Sequence, residues 1–323
     1  MFSSKRESQR YAANGAPLVL CVHPPGECIG VNFESGVYIL KGQLQRKTRV
    51  STALLLAAGT GSRLQPLTDS APKCLTEVGG IPILKRLIDC LLQNRFKRLV
   101  VVVGHLEQDI RRFLDRHANG LIVDYIVSPV YKTTNNIYSL WLAREAVQEP
   151  FLLIESDLVF DASLLGKMLT PDRIAVSEML PWMNGTTVTA DASLKIKAFH
   201  PASQSVGSGV RYKTVNICSL SSESWRRVGD RLDRFICDGR VNEYYETVFE
   251  EMAADGSLSF QCIKFDNARW YEVDTLKDLR AAELLFPTHA EGDLSLSGTR
   301  ARPSRFFPNE SLDIDPAPQP VAT

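Results

Sequence analysis

Residues 54–64 read Leu-Leu-Leu-Ala-Ala-Gly-Thr-Gly-Ser-Arg-Leu, and Pro72-Lys73 follows. An apolar run ending in Gly59 and Gly61 lets backbone N–H groups approach phosphate oxygens with no side chain in the way. Arg63 and Lys73 supply cations suited to a triphosphate. Leu56, Ala57, Ala58, Gly59, Thr60 and Gly61 are therefore candidate nucleotide-binding residues. Two common phosphate loops fit worse. Leu64 takes the third glycine position of GxGxxG, and no Gly-Lys-Ser/Thr follows Gly61. A plain strand-to-helix turn would use the same glycines, but it needs neither the arginine nor the Pro-Lys pair.

Chemistry between phosphates brings anions together, and Mg²⁺ with Lys or Arg commonly neutralises them. Asp157 ends the expected buried strand 151–156, a position where α/β sheets present ligands. Asp274 lies in Trp-Tyr-Glu-Val-Asp-Thr (270–275), ahead of a helical pattern. It reads either as a metal ligand or as a helix cap. Glu155 and Asp161 are neighbouring carboxylates with no role assigned. The histidines at 23, 105, 117, 200 and 289 show no metal-ligand spacing. The seven cysteines are scattered with no CxxC pair, and none has an arguable histidine and acid as partners.

These groups need a frame, and the sequence predicts one. Residues 52–57, 99–103, 121–127 and 151–154 read as strands, with 99–103 wholly Leu and Val as in a strand buried on both faces. Residues 83–92 carry a helical apolar stripe, and 135–147 read as a second helix. Strand and helix in alternation imply an α/β fold with a mostly parallel sheet covered on both faces. After residue 173 the pattern shifts to short runs at 174–177, 186–190 and 195–199, as in an antiparallel insertion. Helices are expected at 222–237, 242–254 and 276–285, and a strand at 258–265.

Lys plus Arg equal Asp plus Glu at 37 each, so the 323-residue chain lacks the basic footprint of a nucleic-acid or membrane-surface binder. No apolar run approaches the ~20 residues of a membrane span. An odd, scattered cysteine set suits a reducing compartment, and a cytoplasmic protein is expected. Residues 1–49 read as a partly disordered basic extension, with β-like runs at 17–22 and 36–40 that suit pairing. Residues 50–286 form the expected catalytic domain, and the proline-rich stretch 287–323 is expected to be disordered.

Leu56 to Thr68, Pro72-Lys73-Cys-Leu, Val78-Gly-Gly and Pro82-Ile-Leu84 resemble the nucleotidyltransferases that activate sugar phosphates or phospho-alcohols. The likeness spans residues 50–286. It implies a Rossmann-like, mostly parallel mixed sheet with helices on both faces, and nucleoside monophosphate transfer with release of pyrophosphate. It further implies that the glycine loop holds the nucleotide and that Arg63 binds the β/γ-phosphates. Lys73 would bridge α-phosphate and acceptor, while Asp157 and Asp274 coordinate Mg²⁺.

Within that family, Asn135-Asn-x-x-Ser-Leu-Trp141 is similar to the cytidylyltransferases for phosphocholine and 2-aminoethylphosphonate. Asn136 and Ser139 suit the donors and acceptors of cytosine. The same residues also read as a helix cap followed by a core stripe. Segments 181–188, 212–217 and 242–246 resemble the same branch and make Trp182, Asn216, Glu243, Tyr245 and Glu246 candidate acceptor residues. Lys213 suits an acceptor phosphonate. Glu243 and Glu246 with nearby aromatics suit an amine, or form an ordinary acidic helix start. The expected activity is Mg²⁺-dependent CMP transfer from CTP to a small phosphonate or phospho-alcohol, by a monomer or homodimer. The alternatives are a sugar-1-phosphate nucleotidyltransferase using UTP or dTTP, and a non-catalytic nucleotide-binding regulator.

Overall fold

The computed structural model describes residues 9–11, 17–23, 27–31, 49–180, 183–201, 210–266 and 269–287. Near the N-terminus, β1 (Gln9–Tyr11), β2 (Pro17–His23) and β3 (Glu27–Val31) form an antiparallel sheet centred on β2. The expected strand at 17–22 is present, but it pairs with its neighbours. The run 36–40 lies outside the described residues, as does the tail from 288 onward.

All six residues of β4 (Thr52–Ala57) are buried, which explains an apolar run without alternation. A two-stranded hairpin, β5 (Glu77–Val78) and β6 (Ile81–Pro82), turns on Gly79 and Gly80, both at positive φ as such tight turns require. Then follow α1 (Ile83–Gln93), β7 (Arg98–Val103), α2 (Glu107–His117), β8 (Ile122–Val127), α3 (Asn136–Leu142) and β9 (Phe151–Glu155). β4 pairs in parallel with β7 and β9, and β8 adds in parallel to β7. Helix α3 stops at Leu142, short of the expected 147.

The sheet continues into an antiparallel region. β10 (Leu158–Phe160) is followed by β11 (Arg173–Glu178), β12 (Thr187–Ala190), β13 (Ile196–His200) and the ten-residue β14 (Arg211–Leu220). β14 joins the two halves: its C-terminal end pairs with β9 and its N-terminal end with β12. The sequence patterning did not predict β14, because contacts on several sides replace a single alternating face. α4 (Ser222–Cys237), α5 (Tyr245–Ala254), β15 (Gln261–Lys264), β16 (Trp270–Glu272) and α6 (Leu276–Leu285) complete the chain.

Adjacent strand residues face opposite ways, and each side has its own core. Leu55, Val101 and Ile154 pack with α1 and α2, whereas Leu54, Val100 and Leu153 pack with α3, α4 and α5. Each such side chain contributes about 1.5–3 kcal/mol by burial. The fold is thus the expected mixed sheet covered on both faces. A third cluster joins Leu64, Val159, Tyr271 and Val273 to α6, tying the end of the glycine loop to β10 and β16. Among the described residues no helix is long and apolar enough to cross a membrane.

Candidate active site

The glycine loop leaves the C-terminal end of β4. Gly61 adopts φ +67°, and a Cβ there would lie 3.0 Å from both Lys73 Cβ and Thr68 Cγ2. Glycine is needed at this point for conformation and for space. The close approach sets Lys73 beside the loop. Its Nζ donates to Asp157 Oδ2 at 2.7 Å and to Asp274 Oδ1 at 2.6 Å. Arg63 Nη2 donates to the same Asp274 oxygen at 2.8 Å. The Lys73 side chain is 14% exposed and Arg63 66%, so the lysine is a fixed element while the arginine stands at the rim. Burial alone would lower the Lys73 pKa, but the two aspartates hold it above the ordinary lysine range, and the ammonium stays charged.

The two aspartates meet because β10 and β16 pair antiparallel, with Leu158 opposite Glu272. Val273 N donates to Asp157 O at 2.9 Å and closes the ribbon next to both carboxylates. Asp274 is not the cap of α6. Thr275 is, in a reciprocal capping box with Asp278. The cap reading of Asp274 is thereby set aside, and its carboxylate turns to Lys73.

Two carboxylates with no role assigned from sequence join this group. Oxygens of Glu155, Asp157 and Glu272 all lie within 4.8 Å of one another. Asp157 Oδ1 is buried with no hydrogen-bond partner among the described residues. An orphaned anionic oxygen facing two further carboxylates fits a hard divalent cation such as Mg²⁺. The expected metal pair was Asp157 with Asp274; the structure groups Asp157 with Glu155 and Glu272, and engages Asp274 with the two cations. A sequence signal for both residues exists. Each stands two positions before an expected aspartate, close enough along the chain to reach the same space. Asp161 lies apart, paired with Arg269 at 3.0 Å.

Burial, then Glu246 and Asp157, push the Glu155 carboxyl well above the usual range. Glu272 is also raised by burial, against the pull of Lys213. Such crowding is stable only with protons, donors or a cation among the carboxylates.

Two clefts adjoin the group. The first, of about 260 Å³, is lined by Leu56, Ala58, Gly59, Gly61, Lys73 and Ser139, among others. Ala57 is buried and, like Thr60, does not line it. Tyr131, which no motif of the sequence singles out, forms part of its wall. Asn136 borders both clefts, but its amide is engaged: Oδ1 accepts from Tyr245 N at 3.0 Å, and Nδ2 donates to Glu155 Oε1 at 3.3 Å. The helix cap is Asn135, whose side chain accepts from Asn136 N.

The second cleft, of about 560 Å³, holds Lys213, Asn216, Glu246 and Glu272. Lys213 is buried; Nζ donates to Thr214 O at 2.7 Å and lies 3.3 Å from Glu272 Oε2. Asn216 sits at φ +57°, where β14 departs from regular pairing with β11, and its Nδ2 donates to Glu272 Oε1 at 3.3 Å. Burial raises the Glu246 carboxyl to about 7. The remaining expected acceptor residues fall elsewhere. Glu243 is paired with Arg240 at 2.6 and 3.0 Å and lines neither cleft. Tyr245 is buried and lines neither of these two clefts; its backbone N–H is what reaches the site, through Asn136. Trp182 lies outside the described residues.

Residues 53–177, from β4 into β11, match the MobA-like NTP transferase domain family. Those residues carry an NTP transferase domain. The chain is 32% identical over 244 residues to CMP-5'-(3-aminopropyl)phosphonate synthase of Streptomyces rubellomurinus, covering 72% of this chain and 38% of that protein. It is 33% identical over 121 residues to 2-aminoethylphosphonate cytidylyltransferase of Lancefieldella rimae, covering 37% of this chain and 47% of that protein. The chain thus spans less than half the length of either relative. By fold, the chain is similar to CTP:phosphocholine cytidylyltransferase from Streptococcus pneumoniae, with TM-score 0.62 and 20% identity over 74% of this chain and 99% of that one.

Proposed function

We propose that this chain moves CMP from CTP to a small phosphonate or phospho-alcohol and releases pyrophosphate. 2-Aminoethylphosphonate, phosphocholine and related phosphonates make up the acceptor class. The observation that carries this reading is the bracketing of Lys73 by Asp157 and Asp274 beside the glycine loop. An acceptor oxygen attacks the α-phosphorus of CTP in line, and a new P–O bond forms. The bond to the β-phosphate breaks, and pyrophosphate leaves with its electron pair. Lys73, held charged, offsets the anions where they meet, and Arg63 at the rim takes the β/γ-phosphates. Asp157, with Glu155, Glu272 and Asp274 around it, would hold Mg²⁺, which neutralises phosphate charge when bound.

The choice of CTP and a phosphonate leans on the named activities of the two relatives. Ser139 and Tyr131 line the side of the first cleft assigned to the base, with Asn136 at the border between base and acceptor. In the second cleft, Lys213 and Asn216 stand on the acceptor side, and Glu246 supplies an acid for an acceptor amine. We assign the enzyme to the cytoplasm, as a monomer or homodimer. The test is pyrophosphate release with Mg²⁺ across four nucleoside triphosphates and a panel of phosphocholine, aminoalkyl phosphonates, other phosphonates and sugar 1-phosphates. Turnover with CTP and a phosphonate or phosphocholine is expected. Turnover confined to UTP or dTTP with a sugar phosphate would replace this reading.

A further inference from the structure

Thr68 packs against the glycine loop and lines neither cleft. It is 2% exposed, and a buried hydroxyl needs a hydrogen-bond partner. Its Oγ1 donates to Gly61 O at 2.9 Å. The same carbonyl accepts from Leu64 N at 2.9 Å, closing the turn that carries Ser62 and Arg63. Leu64 and Thr68 are both buried, so the two donors draw the Gly61 carbonyl into the protein. Gly61, Ser62 and Arg63 meanwhile line the first cleft. Thr68 also meets the glycine through its methyl, since Cγ2 lies 3.0 Å from where a Gly61 Cβ would stand. Thr68 is in turn anchored to the sheet. Its carbonyl lies 3.4 Å from His105 Nε2, and the His105 N–H donates to Ala58 O at 3.1 Å, where the glycine loop begins.

We propose that Thr68 is a positioning residue for the triphosphate, holding the Gly61 carbonyl back so that the loop meets the phosphates with N–H groups and Arg63. This rests on the reading of the first cleft as the nucleotide site. A loop that takes up an anion must present donors to it and keep its carbonyl oxygens turned away. Glycine lacks the Cβ that restricts other residues, so at Gly61 the carbonyl is fixed by its bonds and not by sterics. The Leu64 N–H supplies one bond, of the tight-turn kind whose geometry is the poorer. The Thr68 hydroxyl supplies the second, from a side chain locked in the core.

The experiment is CTP binding to the full chain by calorimetry, with Mg²⁺ and without acceptor. Thr68→Val keeps the branched shape and replaces the hydroxyl by a methyl. It is expected to weaken CTP binding about 5- to 30-fold, the counterpart of leaving one buried carbonyl short of a donor. Thr68→Ser keeps the hydroxyl and is expected to stay close to wild type. In turnover, the KM for CTP should rise in Thr68→Val by a similar factor while the KM for the acceptor holds. Unchanged CTP affinity in Thr68→Val would overturn the proposal. So would equal losses in Thr68→Ser and Thr68→Val, or a rise of both KM values together. A melting curve accompanies each variant, and if Thr68→Val is unfolded, Thr68→Ala against Thr68→Ser isolates the hydroxyl instead. If the wild-type chain binds UTP or dTTP in place of CTP, the choice of nucleotide falls, and the same series with that nucleotide decides the role of Thr68. If it binds no nucleoside triphosphate, the nucleotide site fails and the positioning role with it.

Discussion

Lys73 and Asp157, 84 residues apart in sequence, meet at 2.7 Å through Nζ and Oδ2 in a part-buried ion pair. The lysine simultaneously reaches Asp274, 201 residues away. One ammonium thus ties the glycine loop to both carboxylate-bearing segments. The loop's cation and the acids that face it are therefore set by a single side chain.

Lys73→Met removes that tie. Turnover in the CTP-dependent assay should fall about 100- to 1,000-fold, as for loss of a preorganised charge at the reacting centre. Two carboxylates are left facing each other, so stability should drop by about 3–5 kcal/mol in denaturant titrations without divalent cation. Added Mg²⁺ should recover part of the stability and little of the turnover.

Asp157→Ala tests the cation assignment. Turnover should fall at least about 100-fold, beyond what loss of a mere supporting partner costs. Equal turnover in variant and wild type would take the metal away from this residue.

Gly104 lies at the end of β7 with no room for a side chain. A Cβ there would come within 2.8 Å of both Ala58 O and Tyr131 Cγ. Gly104→Ala should therefore cost about 1–3 kcal/mol in thermal or chemical denaturation. Since Tyr131 walls the first cleft, the KM for CTP should rise while the KM for the acceptor holds. An unchanged CTP KM would separate Gly104 from the nucleotide side.

Glu246 gives a pH-dependent outcome. Burial raises its carboxyl from 4.5 to about 7 in the folded chain, so the folded state favours the protonated form. That contribution to stability is present below pH 4.5 and is lost as pH rises through about 7. Glu246→Gln, which cannot ionise, should be more stable than wild type above this window, and the advantage should shrink as pH falls through it. Denaturation midpoints across the window measure it. A constant gap at every pH would exclude Glu246 as the titrating group.

Much of the fold was legible in local pattern. Helix 222–237 and helix 276–285 appear with the bounds their apolar spacing indicates, and β4, β7 and β9 fall on their apolar runs. Strand β14 was not legible, because it touches β9, β11 and β12 along different parts of its length. No single two-residue period describes such a strand. The acceptor side was read least well for a related reason. Glu243 and Glu246 look alike in an acidic helix start, yet Arg240 claims the first and the second faces the cleft. Which way each turns depends on neighbours that the local sequence does not name.

The sequence by itself determined the glycine loop, its two cations and the two aspartates, because residue type and backbone need are written position by position. Only the tertiary structure decided which carboxylates share a space. Antiparallel pairing of β10 with β16 carries Glu272 and Asp274 to Asp157, and the turn after β9 brings Glu155 with them. Strand register sets those distances, and register is a property of two segments together, fixed by burial of Val159, Tyr271 and Val273 beneath α6.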